Sequence, residues 1–278
     1  MILRITRISP QILLFAALCL SLTVSACVQE EVWIELNTKV LGLYQQGLYS
    51  EAAKVAEEAL RVAENTFGPD HPHVATSLNN LGALYEKQGK HVEAEPLYKR
   101  ALKIREKVLG ENHPRVATTV SNLGLLYYSQ GRYSEAEILY KRALAIDEKA
   151  LRKDHPDLAR DLSNLARLYA TQAKYGEAEA LYKRAMAIHE KALGKDHPHV
   201  AADLSSLAGL YETQGKYAEA EPLYRRSLRI FEKALGKNHP DVATTLDNLA
   251  KLCRNIGKED DADRLQARVR KIRSKQGR

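Results

Sequence analysis

Apolar positions recur along the chain at three- and four-residue steps. Leu78, Leu81, Gly82 and Tyr85 fall on one side of a helix. Gly89 ends that stripe, and a second follows in Ala94, Leu97, Tyr98, Ala101 and Ile104. Gly110 stands where a helix C-cap calls for glycine. Asn112-His113-Pro114 then restarts the chain, with the proline suited to a first helical turn. The pattern predicts a helix, a tight turn, a second helix and a new start.

The same unit returns at a fixed interval. His-Pro occurs at His71-Pro72, His113-Pro114, His155-Pro156, His197-Pro198 and His239-Pro240, always 42 residues apart. Tyr85, Tyr127, Tyr169 and Tyr211 share a phase, with Cys253 in the last place, and so do Ala94, Ala136, Ala178, Ala220 and Ala262. A constant period of this length predicts stacked supersecondary units in place of one closed core. Ala173 replaces the turn glycine in the fourth unit, and Arg152 the capping glycine in the third. In the first unit Leu41-Gly42-Leu43-Tyr44 lies one residue closer to Gly47 than its later equivalents, which puts that helix in an altered register.

Leu81, Gly82, Tyr85, Gly89, Ala94, Tyr98, Ala101 and their equivalents resemble the tetratricopeptide repeat, in the 42-residue variety of kinesin light chains. The resemblance implies an all-α, right-handed superhelical solenoid of about six repeats over residues 31–278. The expected repeats are about 31–72, 73–114, 115–156, 157–198, 199–240 and 241–278. It also implies protein binding on the concave face formed by the first helix of each repeat.

Residues 1–26 read as an address. Arg4 and Arg7 precede an apolar run from Ile12 to Val24, short of the about 20 residues of a membrane span. Val24-Ser25-Ala26-Cys27 resembles the lipobox of bacterial lipoproteins, which implies cleavage before Cys27, lipidation of its thiol and a short tether at residues 27–30. An ordinary secretory signal cut near Ala26 is the other reading. Val28, where an inner-membrane retention signal would have Asp, favours the periplasmic face of the outer membrane if the source is diderm.

Composition narrows the chemistry. Hydrophobic residues make up 45% and charged residues 28%, a globular balance. A formal charge of +7 over 278 residues is too thin for a nucleic-acid binder. The basic tail from Arg264 to Arg278 reads either as a capping helix or as a contact for anionic headgroups. Three cysteines make no disulfide framework. Corner histidines one repeat apart cannot share a metal ion; they are expected beside Asx caps at Asp70, Asn112, Asp154, Asp196 and Asn238. Asp and Glu are expected on solvated helix faces beside Lys and Arg. No phosphate loop, nucleophile elbow or Cys-x-x-Cys pair occurs, so neither an enzyme nor a cofactor or metal is expected.

With the apolar side of each first helix fixed, the opposite side shows a column of Asn80, Asn122, Asn164, Ser206 and Asn248. A carboxamide both donates and accepts, so such a ladder suits the backbone of an extended peptide. The alternative is that each Asn bonds to the neighbouring helix. Arg160 and Arg167 lie two turns apart on that side and, with Lys251, offer charge to an acidic side chain or a C-terminal carboxylate. The expected function is a non-catalytic scaffold, lipid-anchored in the bacterial envelope, that holds a peptide or protein. A self-associating structural component is the alternative, and an accessory subunit of an enzyme a more distant one.

Overall fold

A computed structural model of the chain describes residues 10–276, with side chains from Val28 to Ser274. The expected signal segment lies, apart from the backbone course of its helix, outside the described residues, as does the Cys27 side chain. Every regular element among the described residues is a helix. In order they are α1 (Pro10–Gln45), α2 (Tyr49–Phe67), α3 (Pro72–Lys87), α4 (His91–Leu109), α5 (Pro114–Ser129), α6 (Tyr133–Ala150), α7 (Pro156–Thr171), α8 (Tyr175–Leu193), α9 (Pro198–Thr213), α10 (Tyr217–Leu235), α11 (Pro240–Asn255) and α12 (Glu259–Gln276). None of the described residues forms a helix long and apolar enough to cross a membrane. The helices pack as consecutive antiparallel pairs and fall into two compact units, with the boundary in sequence between Glu111 and Asn112.

Each pair is closed by a turn that the sequence dictates. After α3, Gly89 takes a left-handed φ of +73°. Its N–H bonds to the Glu86 carbonyl and that of Lys90 to the Tyr85 carbonyl, at 2.9 and 2.8 Å. This Schellman arrangement satisfies carbonyls that the helix end would leave bare. It recurs after α1, where Leu48 bonds to Leu43 and Gly47 to Tyr44. Leu43 therefore occupies the Tyr85 position, and α1 keeps the strict 42-residue register. The apparent shift arose from a Leu-Gly-Leu-Tyr string that is not the equivalent of Leu81–Tyr85.

The fourth repeat makes the same turn without glycine. Ala173 sits at φ +60°, the one left-handed residue other than glycine among those described. A Cβ there costs about 1–2 kcal/mol, partly offset by the smaller backbone entropy that Ala loses on folding. Ala173→Gly is expected to raise stability by up to about 1 kcal/mol, read as a higher midpoint in urea. The third repeat solves its missing C-cap differently. Where Arg152 replaces glycine, α6 ends one residue early, and Leu151 leaves it in an extended conformation at φ −113°.

The repeat corners correct one expectation. The N-cap is the histidine itself, not an Asx residue. His71, His113, His155, His197 and His239 each accept, through Nδ1, the N–H two residues on, at 3.1–3.2 Å. The following proline has no N–H to satisfy, so the imidazole fulfils the capping role at N2. Asp70, Asp154 and Asp196 instead receive Lys107, Lys191 and Lys233 from the next second helix.

Packing inside the α3–α4 and α5–α6 pairs rests on a glycine facing a tyrosine. A Cβ on Gly124 would lie 2.9 Å from the Tyr140 ring, so the glycine sets how closely α5 and α6 approach. Tyr98, Tyr140 and Tyr224 are fully buried. Outside, ion pairs staple successive second helices within each unit: Arg100 to Glu64, Arg184 to Glu148 and Arg226 to Glu190, at 2.6–2.8 Å, and Arg268 to Glu232. Individually such exposed pairs contribute well under about 1 kcal/mol.

Candidate functional site

In the second unit, the sides of α7, α9 and α11 turned away from their own partners border two adjoining open clefts. One, of about 500 Å³, is lined by Ser205, Ser206, Gly209, Glu212, Thr213, Tyr224, Asn248, Lys251 and Asn255. The other, of about 400 Å³, is lined by Arg167, Ala170, Thr171, Tyr175, Tyr182, Ser206, Gly209, Leu210 and Thr213. Ser206, Gly209 and Thr213 belong to both, so the clefts are continuous. Four residues picked out by sequence pattern, Arg167, Ser206, Asn248 and Lys251, thus border one groove.

The absence of a side chain shapes it. The column that holds Arg167 and Lys251 has Gly209 between them. A Cβ at Gly209 would only touch the Tyr224 hydroxyl, at 3.4 Å, so the glycine is there for space and not for backbone reasons. Below it Tyr224 Oη donates to Glu212 Oε2 at 3.1 Å, and Asn255 Nδ2 donates to Glu212 Oε1 at 3.3 Å. Lys251 Nζ stands 3.6 Å from the same carboxylate. Burial pushes the Tyr182 hydroxyl up to about 12 against the pull of Arg167, so it faces the groove as a neutral donor.

The other predicted residues have different surroundings. Asn164 donates through Nδ2 to Ser121 Oγ at 3.2 Å, which is the neighbouring-helix bond that the ladder left open. Arg167 lies over the Tyr128 ring, 4.8 Å from its centroid, and donates to Asn164 Oδ1 at 3.3 Å. Asn122 stands one repeat before Asn164 on α5. Asn80, in the first unit, donates to Asn37 Oδ1 at 3.1 Å and borders a separate small pocket with Tyr44 and Leu84. Arg160 is not grouped with Arg167. Its guanidinium reaches Asp157 at 2.8 Å, Asp161 at 3.4 Å and Asp147 at 3.7 Å.

Those carboxylates overturn a second expectation, that acidic residues lie on solvated faces. Asp147, Asp161 and Asp203 are buried where successive repeats meet. His189 Nδ1 and Asp203 Oδ2 are 2.6 Å apart between α8 and α9, and Ser163 Oγ donates to the other Asp203 oxygen at 3.2 Å. One repeat earlier, Asp147 and Asp161 hold the same positions. The sequence signal was available: at these two 42-residue phases the next junction has Phe231 and Thr245. Asp161 and Asp203 stand in a column that elsewhere holds Ser77, Thr119 and Thr245, so a carboxylate replaces a small hydroxyl at a buried phase. Among the described residues no three His, Cys, Asp or Glu side chains are placed to hold a metal ion.

Comparison with known proteins agrees with this geometry. The family model described as "Tetratricopeptide repeat" matches residues 35–107, 81–149, 139–191, 162–233 and 200–275. The chain belongs to the tetratricopeptide repeat family. Its fold is also similar to solved structures. BtubC (BKLC) from P. vanneervenii is 24% identical, with a TM-score of 0.63 over 84% of this chain and 91% of that one. A putative kinesin light chain of Podosopora anserina, with nearly identical TPR-like repeats, is 28% identical, with a TM-score of 0.56 over 72% of this chain and 94% of that one. PilF of Pseudomonas aeruginosa is 19% identical, with a TM-score of 0.56 over 88% of this chain and 93% of that one. No curated protein matches the chain in sequence. Tetratricopeptide repeats generally serve as protein-binding scaffolds, and this is the type of work the fold supports.

Proposed function

We propose that this tetratricopeptide repeat protein is a non-catalytic adaptor of the bacterial envelope, held by a lipid on Cys27, that captures an extended peptide or a partner protein in the α7–α9–α11 groove. The observation that carries the reading is the continuity of the two clefts through Gly209, which brings Arg167, Ser206, Asn248 and Lys251 to one polar surface. A groove of that kind offers donors and acceptors in a row without an apolar pocket for a small molecule. The tetratricopeptide repeat family supports protein binding as the type of work.

Gly209→Leu tests the groove. The position is helical and open, and leucine is the better helix former by about 1 kcal/mol, so the variant is expected to fold with equal or greater stability. Its side chain fills the junction of the two clefts. A protein that is crosslinked to the wild type in cell envelopes should be recovered at least tenfold less with Gly209→Leu. Equal recovery from both would remove the groove from the function. The anchor is tested separately: Cys27→Ala should move the protein from the membrane fraction to the soluble fraction, and a variant that stays with the membrane would refute attachment at this thiol.

A further inference from the structure

Asp147 on α6 and Asp161 on α7 face each other in the repeat junction and are 1% and 0% exposed. Both oxygens of Asp147 and Oδ2 of Asp161 are buried with no N–H or hydroxyl donor on them. Two bare carboxylates cannot share such a site; a single proton between them satisfies both. The hydrogen bonds say which one keeps it. Ser121 Oγ donates to Asp161 Oδ1 at 3.1 Å, and Arg160 Nε and Nη2 lie 3.4 Å from the same oxygen. Burial raises both carboxyls, but Asp161 is the one with donors on it, which makes it the better seat for the negative charge and Asp147 the better seat for a shared proton.

The donors continue from there to the groove. Ser121 Oγ accepts from Asn164 Nδ2 at 3.2 Å, and Asn164 Oδ1 accepts from Arg167 Nη2 at 3.3 Å. Every bond points the same way, from Arg167 through Asn164 and Ser121 to the anion. Chains of this kind polarise along their length. We propose that protonation of the buried Asp147–Asp161 pair sets how Asn164 and Arg167 are presented to the groove, so that the junction makes ligand capture responsive to pH.

Burial, followed by the neighbouring Asp161 charge, pushes the Asp147 carboxyl up to about 7. Arg160 opposes the rise, while Asp157 adds to it. These are the charged groups that face the pair from α7, and α5 contributes the neutral Ser121. When Asp147 releases its proton to solvent, a second anion stands beside the first. Arg160, 3.7 Å from Asp147 Oδ2, is then drawn away from Asp157, and the Ser121 hydroxyl has two anions to choose between. The Asn164 amide, fixed through that hydroxyl, moves with it.

The proposal rests on the groove reading for its biological use, but its physics is tested without any ligand. Side-chain NMR of the full chain should show the Asp147 carboxyl carbon titrating near neutrality, about three pH units above an ordinary aspartate. The Asn164 side-chain amide should shift with the same midpoint. In Ser121→Ala the Asp147 midpoint should stay near neutral while the Asn164 amide stops responding; in Asp147→Asn both steps should vanish from a folded protein. An Asp147 midpoint in the usual carboxylate range, or an Asn164 step that survives Ser121→Ala, would overturn it. Should Gly209→Leu leave partner capture intact while these titrations behave as expected, the relay stands and the groove reading falls.

Discussion

Removing the His189 imidazole alone is expected to cost about 3 kcal/mol, the scale for leaving a buried acidic side chain without its hydrogen-bond partner. Asp203 would keep only the Ser163 hydroxyl for a carboxylate that is almost entirely out of water. The repair is written in the same chain. One junction later the two positions are Phe231 and Thr245, both buried, with the threonine hydroxyl satisfied by the Asp241 carbonyl at 2.8 Å. Asp203→Thr alone strands the histidine, and His189→Phe alone strands the aspartate, so each should be strongly destabilising. The double variant His189→Phe with Asp203→Thr should fall within about 1 kcal/mol of wild type. A coupling of at least 2 kcal/mol in that cycle, read from urea midpoints and from amide exchange in α8 and α9, would establish the pair as one unit. Simple addition of the two single losses would show that the two groups do not depend on each other.

The contrast between these junctions shows where sequence reasoning reaches and where it stops. A 42-residue period with conserved spacing of glycine, alanine and tyrosine was enough to place helix pairs, turns and the family, because each of those residue types answers a local demand. Gly89 serves a left-handed turn, and Gly124 admits a tyrosine ring. Histidine as an N-cap is masked in the sequence because the usual side chains for that role, Asp and Asn, stand next to it. Asp70 and its equivalents turned out to bind lysines one repeat away, and sequence separation hides such a partner. The groove was half legible. Facing sides follow from the helical period, so Ser206, Asn248 and Lys251 could be placed together. Which amides are spent on a neighbouring helix could not, since the Asn164 bond to Ser121 depends on how two helices sit. Arg160 shows the same limit: helical spacing set it beside Arg167, and three carboxylates took its charge.

The second large effect is one of gain. Asp147→Asn is expected to make the protein more stable at pH 8, on the order of 4 kcal/mol, and to leave it unchanged near pH 4. The sign follows from the direction of the shift. The folded protein holds the Asp147 proton up to about 7, whereas the unfolded chain releases it at the ordinary 3.8. Folding therefore binds a proton between those values. The favourable contribution of the neutral carboxyl is fully present below the unfolded value and is lost as pH rises through the folded one. An asparagine carries no charge to bury and can still donate to Asp161, so the gap between variant and wild type should open from about pH 4 and level off above about pH 7. Asp161→Asn should gain less, because Asp161 is the acceptor for Ser121 and the partner of Arg160. Replacing it removes a favourable ion contact together with an unfavourable one. Urea midpoints for the three proteins at half-unit pH steps decide this, and a gap that is constant from pH 4 to 8 would show that Asp147 is ionised throughout.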